Sequence, residues 1–377
     1  MNKIKLAFFF PSFETGGAEK AALNLLKELS RERFDLSLVL AEKKGNCLKT
    51  LPADIAVVDL KSQGFVDLFL RLLKYFKREN PDIFVSVFPH FSLLAIIAKN
   101  FSGANAKIVI IEHSIFSRTA ENVRTFFRRF VGRFIFPTLM RIFYSKAAKI
   151  ISVSKDVANN IKEITNLSDC IKVVYNPIIE NSIYNLAEEK IEHPWFKDSK
   201  TPVLLAVGRF AKAKDYPTLL YAFAKVQRKK HIKLVVLGDG YERENLEKLC
   251  HRLGIAGNVA FLGFQENPYK YIAKACIFAL SSKQEGFPTV LIEAMALGLP
   301  VVSTDCGSGA KEVIESGRNG FLVPACNSDA LSEAIIKLLE SPSLREKFSL
   351  AGRVKAKDFS VSRGVKEYEK IFFELSK

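Results

Sequence analysis

The most regular pattern in this chain is a short apolar run, then a turn, then a helix-like repeat. KIKLAFFF at residues 3–10 leads through PSFETGG into AEKAALNLLKEL, where apolar side chains recur at every third or fourth position. The same order returns at residues 202–226 with PVLLAVG, RFAKAKD and YPTLLYAFAKV. There, Asp215 and Pro217 are typical of a helix start. The pattern predicts two halves that are built alike.

Further apolar runs alternate with helix-like segments in both halves. They are FDLSLVLA, DIFVSVF, KIVIIEH and KIISVS in the first half and IKLVVLG, VAFLG, CIFALSS and PVVSTDC in the second. Strands buried on both faces of a parallel sheet have this near-continuous apolar character. The sequence therefore predicts an α/β protein with two Rossmann-like domains facing across a cleft. The predicted domains cover residues 1–180 and 181–359, and the polar segment 176–202, with its three Pro, joins them.

Ligands of open parallel sheets bind outside the carboxyl ends of the strands, so motifs at those ends matter most. Gly16 and Gly17 follow the first strand, where they let the backbone approach a ligand and where the next helix offers its amide end to an anion. A simple tight turn explains them equally well, and they do not form the G-x-G-x-x-G fingerprint. Arg209 and Lys214 follow the first strand of the second half and can clamp a diphosphate, with solvated surface charge as the alternative.

The segment EGFPTVLIE holds two carboxylates, Glu285 and Glu293, after the apolar run CIFALSS. Pro288 suits the first turn of a helix, which places Glu285 in the preceding loop and Glu293 on the first two turns. A carboxylate accepts hydroxyl groups of a ribose or another sugar, and the amides of residues 286–289 suit a phosphate. Spacing alone favours an ordinary acidic helix start that is stabilised by the helix dipole.

Composition narrows the class of protein. The length of 377 residues suits two domains, and 48% hydrophobic and 25% charged residues are ordinary for a globular protein. The six Cys contain no C-x-x-C pair, which indicates neither a disulfide framework nor a zinc site and favours a reducing compartment. No apolar run is long enough to span a membrane, and the first one ends at Pro11, too soon for a signal peptide. We expect a cytoplasmic protein.

The net charge of +16 favours an anionic partner, either nucleic acid or a membrane surface. Residues 118–149 contain eight Lys or Arg, one acid and Phe at helical spacing as far as Pro137, which is typical of a helix lying on anionic lipid. A core helix with a charged rim fits equally well. We find no nucleic-acid-binding module, so nucleic acid is not expected. The residues predicted to contact acceptor or membrane are Arg124, Arg128, Arg129 and Arg133.

Together these motifs resemble family 4 of the retaining GT-B glycosyltransferases, the group 1 glycosyl transferases. The E-x7-E segment is accompanied by GR-x4-K at residues 208–214, GGAE at 16–19, EHS at 112–114, GLPVVSTDCGSGAKEVI at 298–314 and NGFLV at 319–323. They occur in the family's order over nearly the whole chain. The resemblance implies an N-terminal acceptor-binding domain, a C-terminal domain that binds a nucleotide sugar, and a last helix, about residues 360–377, that returns to the first domain.

The resemblance also implies a role for each matching residue. Arg209 and Lys214 would hold the donor diphosphate and stabilise the leaving group. Glu293 would bind the ribose, Glu285 the hydroxyls of the transferred sugar, and His113 the sugar near the reacting carbon. A satisfied histidine at a strand end is the plain alternative for His113.

The remaining positions would surround the donor. The backbone at Gly263 and Phe264 would hold the base, and Gly16 and Gly17 would close on the phosphates. The other predicted donor contacts are Gly286, Phe287, Pro288, Thr289 and Val290.

The expected function is a retaining transfer from a UDP-hexose or UDP-N-acetylhexosamine to a lipid-linked or cell-surface glycan, such as a polyprenyl-diphosphate-linked one. The EHS and EGFPTVLIE motifs are similar to those of bacterial N-acetylgalactosamine transferases of glycan assembly. No D-x-D motif is present, and two cations with a helix N-terminus can replace a metal, so we expect neither metal nor cofactor. We expect peripheral attachment to the inner face of the cell membrane. A nucleotide-sugar 2-epimerase of similar fold and a non-catalytic nucleotide-sugar-binding protein are the alternatives.

Overall fold

The computed structural model describes residues 3–14, 16–113, 135–197, 201–307 and 309–377. The chain divides into unit 1, Met1–Ile178 with Val361–Lys377, and unit 2, Ile179–Ser360. The division predicted from the sequence lies between residues 180 and 181 and near residue 360.

The described part of unit 1 forms a parallel sheet with helices on both faces. Its elements before the return of the chain are β1 (Ile4–Phe10), α1 (Gly17–Glu28), β2 (Phe34–Leu40), β3 (Ala56–Asp59), α2 (Phe65–Glu79), β4 (Ile83–Val87), α3 (Pro89–Ser102), β5 (Lys107–Glu112), α4 (Phe136–Phe143), β6 (Lys149–Ser152), α5 (Lys155–Thr165) and β7 (Ile171–Val173). The strand order is β3-β2-β1-β4-β5-β6-β7. Every pairing is parallel, with Leu6 opposite both Leu36 and Ile83.

Unit 2 has the same construction in its described residues. Its elements are α6 (Ser182–Ala187), α7 (Pro194–Lys197), β8 (Val203–Val207), α8 (Tyr216–Gln227), β9 (Lys233–Leu237), α9 (Arg243–Arg252), β10 (Val259–Phe261), α10 (Tyr269–Lys274), β11 (Ile277–Leu280), α11 (Thr289–Ala296), β12 (Val301–Asp305), α12 (Ala310–Val313), β13 (Phe321–Pro324), α13 (Ser328–Glu340) and α14 (Pro342–Ala356). Its strands are parallel in the order β10-β9-β8-β11-β12-β13. The predicted pair of Rossmann-like α/β sheets is confirmed.

The strand order in unit 2 reverses between β8 and β11. Helix α8 packs against α9 and α13, whereas α11 packs against α10 and α14. The helices that follow β8 and β11 therefore leave the sheet toward opposite faces. Their connecting loops part at the carboxyl edge, which is where open α/β sheets bind their ligands.

Large apolar side chains fill the centre of unit 1. Phe8 and Phe9 are fully buried and, as neighbours on a strand, point to opposite faces of the sheet. Phe9 packs against Phe84 with ring centroids 5.6 Å apart, and Phe8 meets Phe372 edge-on at 6.2 Å. The many Phe of this chain therefore form core on both sides of the first strand.

Strands β3, β7 and β13 lie at sheet edges and were not predicted. Each is three or four residues long and is only partly buried. The edge strand β10 is equally short and partly buried, but it was predicted from the run VAFLG. Asp215 also differs from the expected helix cap. Its φ is 46°, and its carboxylate accepts from the Thr218 hydroxyl at 2.7 Å instead of from a helix amide.

The last helix, α15 (Val361–Ser376), belongs to unit 1. Glu369 accepts from the backbone N–H of Ser30 at 3.0 Å, and Glu367 pairs with Lys172 at 3.0 Å. Gly364 faces Pro177, whose carbonyl accepts from the Asn24 amide at 2.8 Å. Pro177 is thus held between α1 and α15, at a point where the helix has no side chain.

This close approach predicts the sign of a substitution. A Cβ at position 364 would lie 2.7 Å from Cβ of Pro177. In a solvent-exposed helix Gly→Ala stabilises by about 1 kcal/mol, but here overpacking should outweigh that preference and lower the free energy of unfolding by about 1–3 kcal/mol. Urea denaturation of the full chain measures the difference. Gly257→Ala, where no atom lies within 4 Å of the added Cβ, is the control. A Gly364→Ala protein as stable as the wild type would contradict the packing argument.

Candidate active site

The loops after β8 and β11 are tied together at the reversal of strand order. The backbone N–H of Lys283 donates to the carbonyl of Ala213 at 2.8 Å, and the Ser281 hydroxyl donates to the carbonyl of Lys214 at 2.9 Å. These bonds fix the two loops on which three of the predicted catalytic residues lie.

Lys214 and Glu285 form an ion pair across this junction. Nζ of Lys214 contacts Oε1 of Glu285, and the Ser282 hydroxyl donates to the same oxygen at 2.7 Å. The two side chains are 25% and 13% exposed, so solvent screens the pair only partly. The nearby Cys306 thiol is buried, and its pKa is raised to about 12 by burial and secondarily by the Glu285 charge. The structure thus joins two residues for which the sequence predicts separate donor contacts.

A second set of contacts fixes the loop that carries Lys214. Buried Asp215 pairs with Nζ of Lys283 at 3.4 Å, and the Tyr216 hydroxyl donates to the carbonyl of Gly208 at 2.9 Å. Burial raises the pKa of Tyr216, and the Glu285 charge adds to the shift, so this hydroxyl stays a hydrogen-bond donor. Both ends of the loop are therefore anchored.

Arg209 is exposed at the beginning of the same loop. Among the residues that the structure describes, none forms a side-chain hydrogen bond or ion pair with it. Its backbone is confined nonetheless, because Gly208 N–H donates to Leu237 at 2.9 Å and a Cβ on Gly238 would lie 2.1 Å from the carbonyl oxygen of Gly208. Gly238 also has a φ of 132°, so both the close approach of Gly208 and the backbone conformation require glycine there.

The side chain of Glu293 contacts different residues from those around the Lys214–Glu285 ion pair. It is the fifth residue of α11, 6% exposed, and the Tyr269 hydroxyl lies 3.4 Å from its Oε1. Pro288 directly precedes α11 instead of lying in its first turn, and Thr289 and Val290 begin the helix half-buried.

The segment before α11 is closely packed. Phe287 is buried with its ring 5.5 Å from that of Phe359, whereas Gly286 is half-buried. A Cβ on Gly309 would lie 2.8 Å from the Phe287 ring, and Gly309 has a φ of 63°. The loop after β12 can approach this segment because it carries no side chain there.

The predicted base-binding loop follows β10. Gly263 has a φ of 71°, and its carbonyl accepts from Gly238 N–H at 2.8 Å, which joins this loop to the one after β9. Phe264 is 51% exposed. An exposed ring beside fixed backbone is suited to stacking on a planar base.

In unit 1, Gly16 caps α1 and Gly17 is its first residue. A Cβ placed on Gly16 would lie 2.2 Å from Oε2 of Glu19. The carboxylate of Glu19 therefore occupies part of the helix end for which the sequence predicts a phosphate contact.

His113 directly follows β5. Nδ2 of Asn176 lies 3.5 Å from Nδ1 of His113, and the Phe88 ring lies 6.4 Å from the imidazole. Burial lowers the pKa of His113 to about 4, so the imidazole is neutral at neutral pH.

Glu112 is the last residue of β5 and immediately precedes His113 in the sequence. Its side chain is buried. The Tyr144 hydroxyl, which is also buried, donates to its Oε1. Burial raises the pKa of Glu112 to about 8, although the Tyr144 hydrogen bond opposes the shift. At neutral pH this carboxyl is mostly protonated, so the end of β5 carries two neutral groups.

Arg124, Arg128, Arg129 and Arg133 lie outside the described residues, as does most of the predicted basic helix. The described part begins with Ile135, and α4 starts at Phe136 with Pro137 in its first turn. Within that helix Phe136 and Met140 are buried and Arg141 is exposed. Pro137 thus lies in the first turn of α4, at the point where the sequence pattern predicts an interruption.

Several partners of the predicted residues were missed. Ser282 lies three residues before Glu285, and that spacing within a loop was a usable signal. Tyr269 and Asn176 are 24 and 63 residues from the side chains they contact. No pattern in the sequence links residues so far apart.

Known proteins resemble both units. The sequence model described as glycosyl transferases group 1 matches residues 187–355, and that of glycosyltransferase family 4 matches residues 15–181. A Campylobacter jejuni relative is described as N-acetylgalactosamine-N,N'-diacetylbacillosaminyl-diphospho-undecaprenol 4-alpha-N-acetylgalactosaminyltransferase. It is 30% identical over 370 residues, which are 94% of this chain and 95% of the relative. A second relative from that organism is 25% identical over 99% of both chains. It is described as GalNAc-alpha-(1->4)-GalNAc-alpha-(1->3)-diNAcBac-PP-undecaprenol alpha-1,4-N-acetyl-D-galactosaminyltransferase.

Solved structures resemble the fold. The HepE protein of Anabaena, solved with UDP and glucose, superposes with a TM-score of 0.82 at 22% identity, over 98% of this chain and 100% of that one. Sucrose-phosphate synthase from Thermosynechococcus elongatus gives a TM-score of 0.83 at 16% identity, over 99% of both chains. These likenesses show the GT-B fold.

The pKa of Glu112 predicts a pH dependence of stability. Because its pKa rises from 4.5 to about 8 on folding, the folded state binds the extra proton, and the free energy of unfolding falls as pH rises through that window. Glu112→Gln cannot ionise. Its stability relative to the wild type should therefore increase between pH 5.5 and 7.5, by up to about 1.4 kcal/mol per pH unit.

Urea denaturation across this pH range measures the effect. Glu367→Gln is the control, because the Lys172 hydrogen bond lowers the pKa of Glu367 and moves its titration below the window. A constant difference between Glu112→Gln and the wild type would contradict the raised pKa.

Proposed function

Since the chain belongs to the group 1 glycosyltransferases and has the GT-B fold, we propose that it is a retaining, metal-independent transferase of a UDP-linked sugar. The donor is a UDP-hexose or UDP-N-acetylhexosamine, and the acceptor is a lipid-linked or cell-surface glycan. No cofactor takes part. The observation that carries the proposal is the Lys214–Glu285 pair at the reversal of strand order in unit 2, with exposed Arg209 at the start of the same loop.

Each charged group has a role in this proposal. Departure of UDP places negative charge on the diphosphate, which Arg209 and Lys214 stabilise because they are fixed before the reaction begins. Glu285 accepts hydroxyls of the sugar, and Glu293 accepts those of the ribose. In the ligand-free chain Glu285 holds Lys214 in place, and a bound diphosphate takes over that contact.

The choice of donor and acceptor rests on the relatives. The relative that is 30% identical over 94% of this chain transfers N-acetylgalactosamine to an undecaprenol-diphosphate-linked sugar by its description. HepE was solved with UDP-glucose as well as with UDP and glucose. We therefore favour UDP-N-acetylgalactosamine as donor and a polyprenyl-diphosphate-linked glycan as acceptor. The active protein works on the inner, cytoplasmic face of the membrane.

The diphosphate role predicts the effect of removing Lys214. With UDP-N-acetylgalactosamine and a polyprenyl-diphosphate-linked acceptor, Lys214→Ala should lower kcat about 100-fold or more, because one preorganised group that stabilises the leaving charge is lost. Lys212→Ala is the matched control, since Lys212 is exposed on the same loop and should retain the wild-type rate. Initial rates of UDP release and of glycan product measure both variants.

The same assay distinguishes the alternatives. Retention requires that the new linkage keep the anomeric configuration of the donor, and metal independence requires an unchanged rate in EDTA. Epimer formation from UDP-sugar without acceptor would indicate a 2-epimerase. Donor binding without turnover on any acceptor would indicate a binding protein. A fully active Lys214→Ala variant would contradict the diphosphate role.

Membrane attachment is a separate part of the proposal. Within the described residues no helix is long and apolar enough to cross a bilayer. Unit 1 nevertheless presents an apolar face on α2 and α3, where Phe65, Val66, Leu70 and Phe101 are 50–77% exposed. The rings of Phe69 and Phe101 meet at 6.2 Å and join the two helices. On α2 and just before it, Lys61, Lys74, Lys77 and Arg78 are exposed, with Arg78 paired to Glu79 at 2.7 Å. Exposed cations beside apolar side chains suit a surface that meets anionic lipid.

Flotation tests this surface. Wild-type protein should float with phosphatidylglycerol vesicles and not with neutral phosphatidylcholine vesicles, and Val66→Asp with Leu70→Asp should abolish flotation. The matched control is Leu350→Asp with Val354→Asp on α14, which has the same spacing and 61% and 67% exposure. Equal recovery with both lipids would contradict an electrostatic contact. If flotation is instead lost in the Leu350→Asp, Val354→Asp double variant, the membrane contact lies on unit 2. Glutamine at the four predicted arginines, Arg124, Arg128, Arg129 and Arg133, tests their separate contribution.

A further inference from the structure

Asn176 is a buried amide that the proposed reaction does not use. It follows β7 in unit 1 and is 3% exposed. Buried amide groups are costly unless they form hydrogen bonds. Among the described residues, Nδ2 of Asn176 lies 3.5 Å from Nδ1 of His113, and Oδ1 has no hydrogen-bond partner. The contact with His113 is therefore the main interaction of this side chain.

Phe88 confines the same imidazole. Its ring lies 6.4 Å from His113 and 6.3 Å edge-on from Phe10. Its backbone φ is 71°, in a region that bulky aromatic residues rarely occupy. Such strain persists only where the surrounding structure enforces it. The His113 ring is thus held between a strained aromatic residue and a buried amide.

The hydrogen-bonding direction decides which nitrogen of His113 carries the proton. A neutral imidazole has one N–H donor and one acceptor nitrogen. When the Asn176 amide donates to Nδ1, that nitrogen is the acceptor and the proton lies on Nε2. Turning the amide over would instead leave both N–H groups without a partner among the described residues, and unpaired N–H groups are rarer in protein interiors than unpaired C=O groups.

We propose that Asn176 is a positioning residue that holds His113 in its neutral Nε2–H tautomer, so that the imidazole donates a hydrogen bond to an oxygen of the transferred sugar. The sugar oxygen as acceptor rests on the proposed function; the tautomer does not. The 3.5 Å separation suits this role, because hydrogen bonds of catalytic groups are often long before the substrate binds and shorten in the complex.

The tautomer can be read without any enzyme assay. The chain has five His, so long-range proton–nitrogen spectra of the uniformly 15N-labelled full-length protein are tractable, and the signals absent from His113→Gln identify His113. At pH 7 we expect a protonated Nε2 and an unprotonated Nδ1. Finding the proton on Nδ1 in the wild type would overturn the proposal.

Asn176→Asp tests the cause. A carboxylate accepts from Nδ1–H, so this variant should move the proton to Nδ1 or add a second one. The imidazole then no longer presents its hydrogen bond correctly, so kcat should fall by up to about 100-fold, with KM for the donor changed far less. Asn176→Ala should give a mixture of tautomers, and it serves also if the Asp variant fails to fold. Unchanged His113 spectra in the Asp and Ala variants would overturn the role of Asn176.

Asn24→Ala is the matched control. Asn24 is equally buried and donates to the carbonyl of Pro177, the next residue after Asn176, but it has no contact with His113. It should keep the Nε2–H signal and kcat, whatever it costs in stability, and a changed tautomer there would count against a specific effect of Asn176. A wild-type protein without transferase activity would refute the proposed function, while the spectra would still decide the tautomer.

Discussion

The reversal of strand order between β8 and β11 is the constraint on which the site in unit 2 depends. It sends the helices that follow these strands to opposite faces of the sheet, so their loops part at the carboxyl edge. Lys214 and Glu285 lie on those two loops and neutralise one another in a largely buried setting. Neither charge would be stable so close to the core without the other, and the pairing places both where the fold binds ligands.

The central part of both sheets could be predicted from the sequence because it is buried on two sides. Continuous apolar runs mark such strands, and their carboxyl ends fix which loops carry chemistry. That reasoning made Arg209, Lys214 and Glu285 candidates. It left surface charge open for the two cations and an ordinary helix start open for Glu285, and their predicted roles came from the resemblance to a family. Three edge strands were missed, since β3, β7 and β13 are short and partly exposed, whereas the edge strand β10 was predicted from the run VAFLG.

Contacts between distant residues were also beyond the sequence. Lys214 and Glu285 are 71 residues apart, and the partner of His113 is 63 residues away in a segment with the composition of a linker. Pattern and composition report what a residue does locally, whereas these contacts arise from the order in which strands assemble. Burial likewise depends on assembly, so the sequence could not predict that Glu112 is protonated and His113 neutral.

The candidate site residues of the two units differ in charge, and the proposed chemistry accounts for the difference. In unit 2 the groups assigned to the diphosphate are cations, as a leaving group with growing negative charge requires. In unit 1 the end of β5 carries neutral groups, because burial disfavours both the Glu112 carboxylate and the His113 imidazolium. In the proposed reaction an oxocarbenium-like sugar would gain positive charge. A cationic imidazole would oppose that change, whereas a neutral one could donate a hydrogen bond to the sugar without that cost. The lowered pKa of His113 therefore suits the role that the proposal gives it, as the exposed charge of Arg209 suits a contact with the diphosphate.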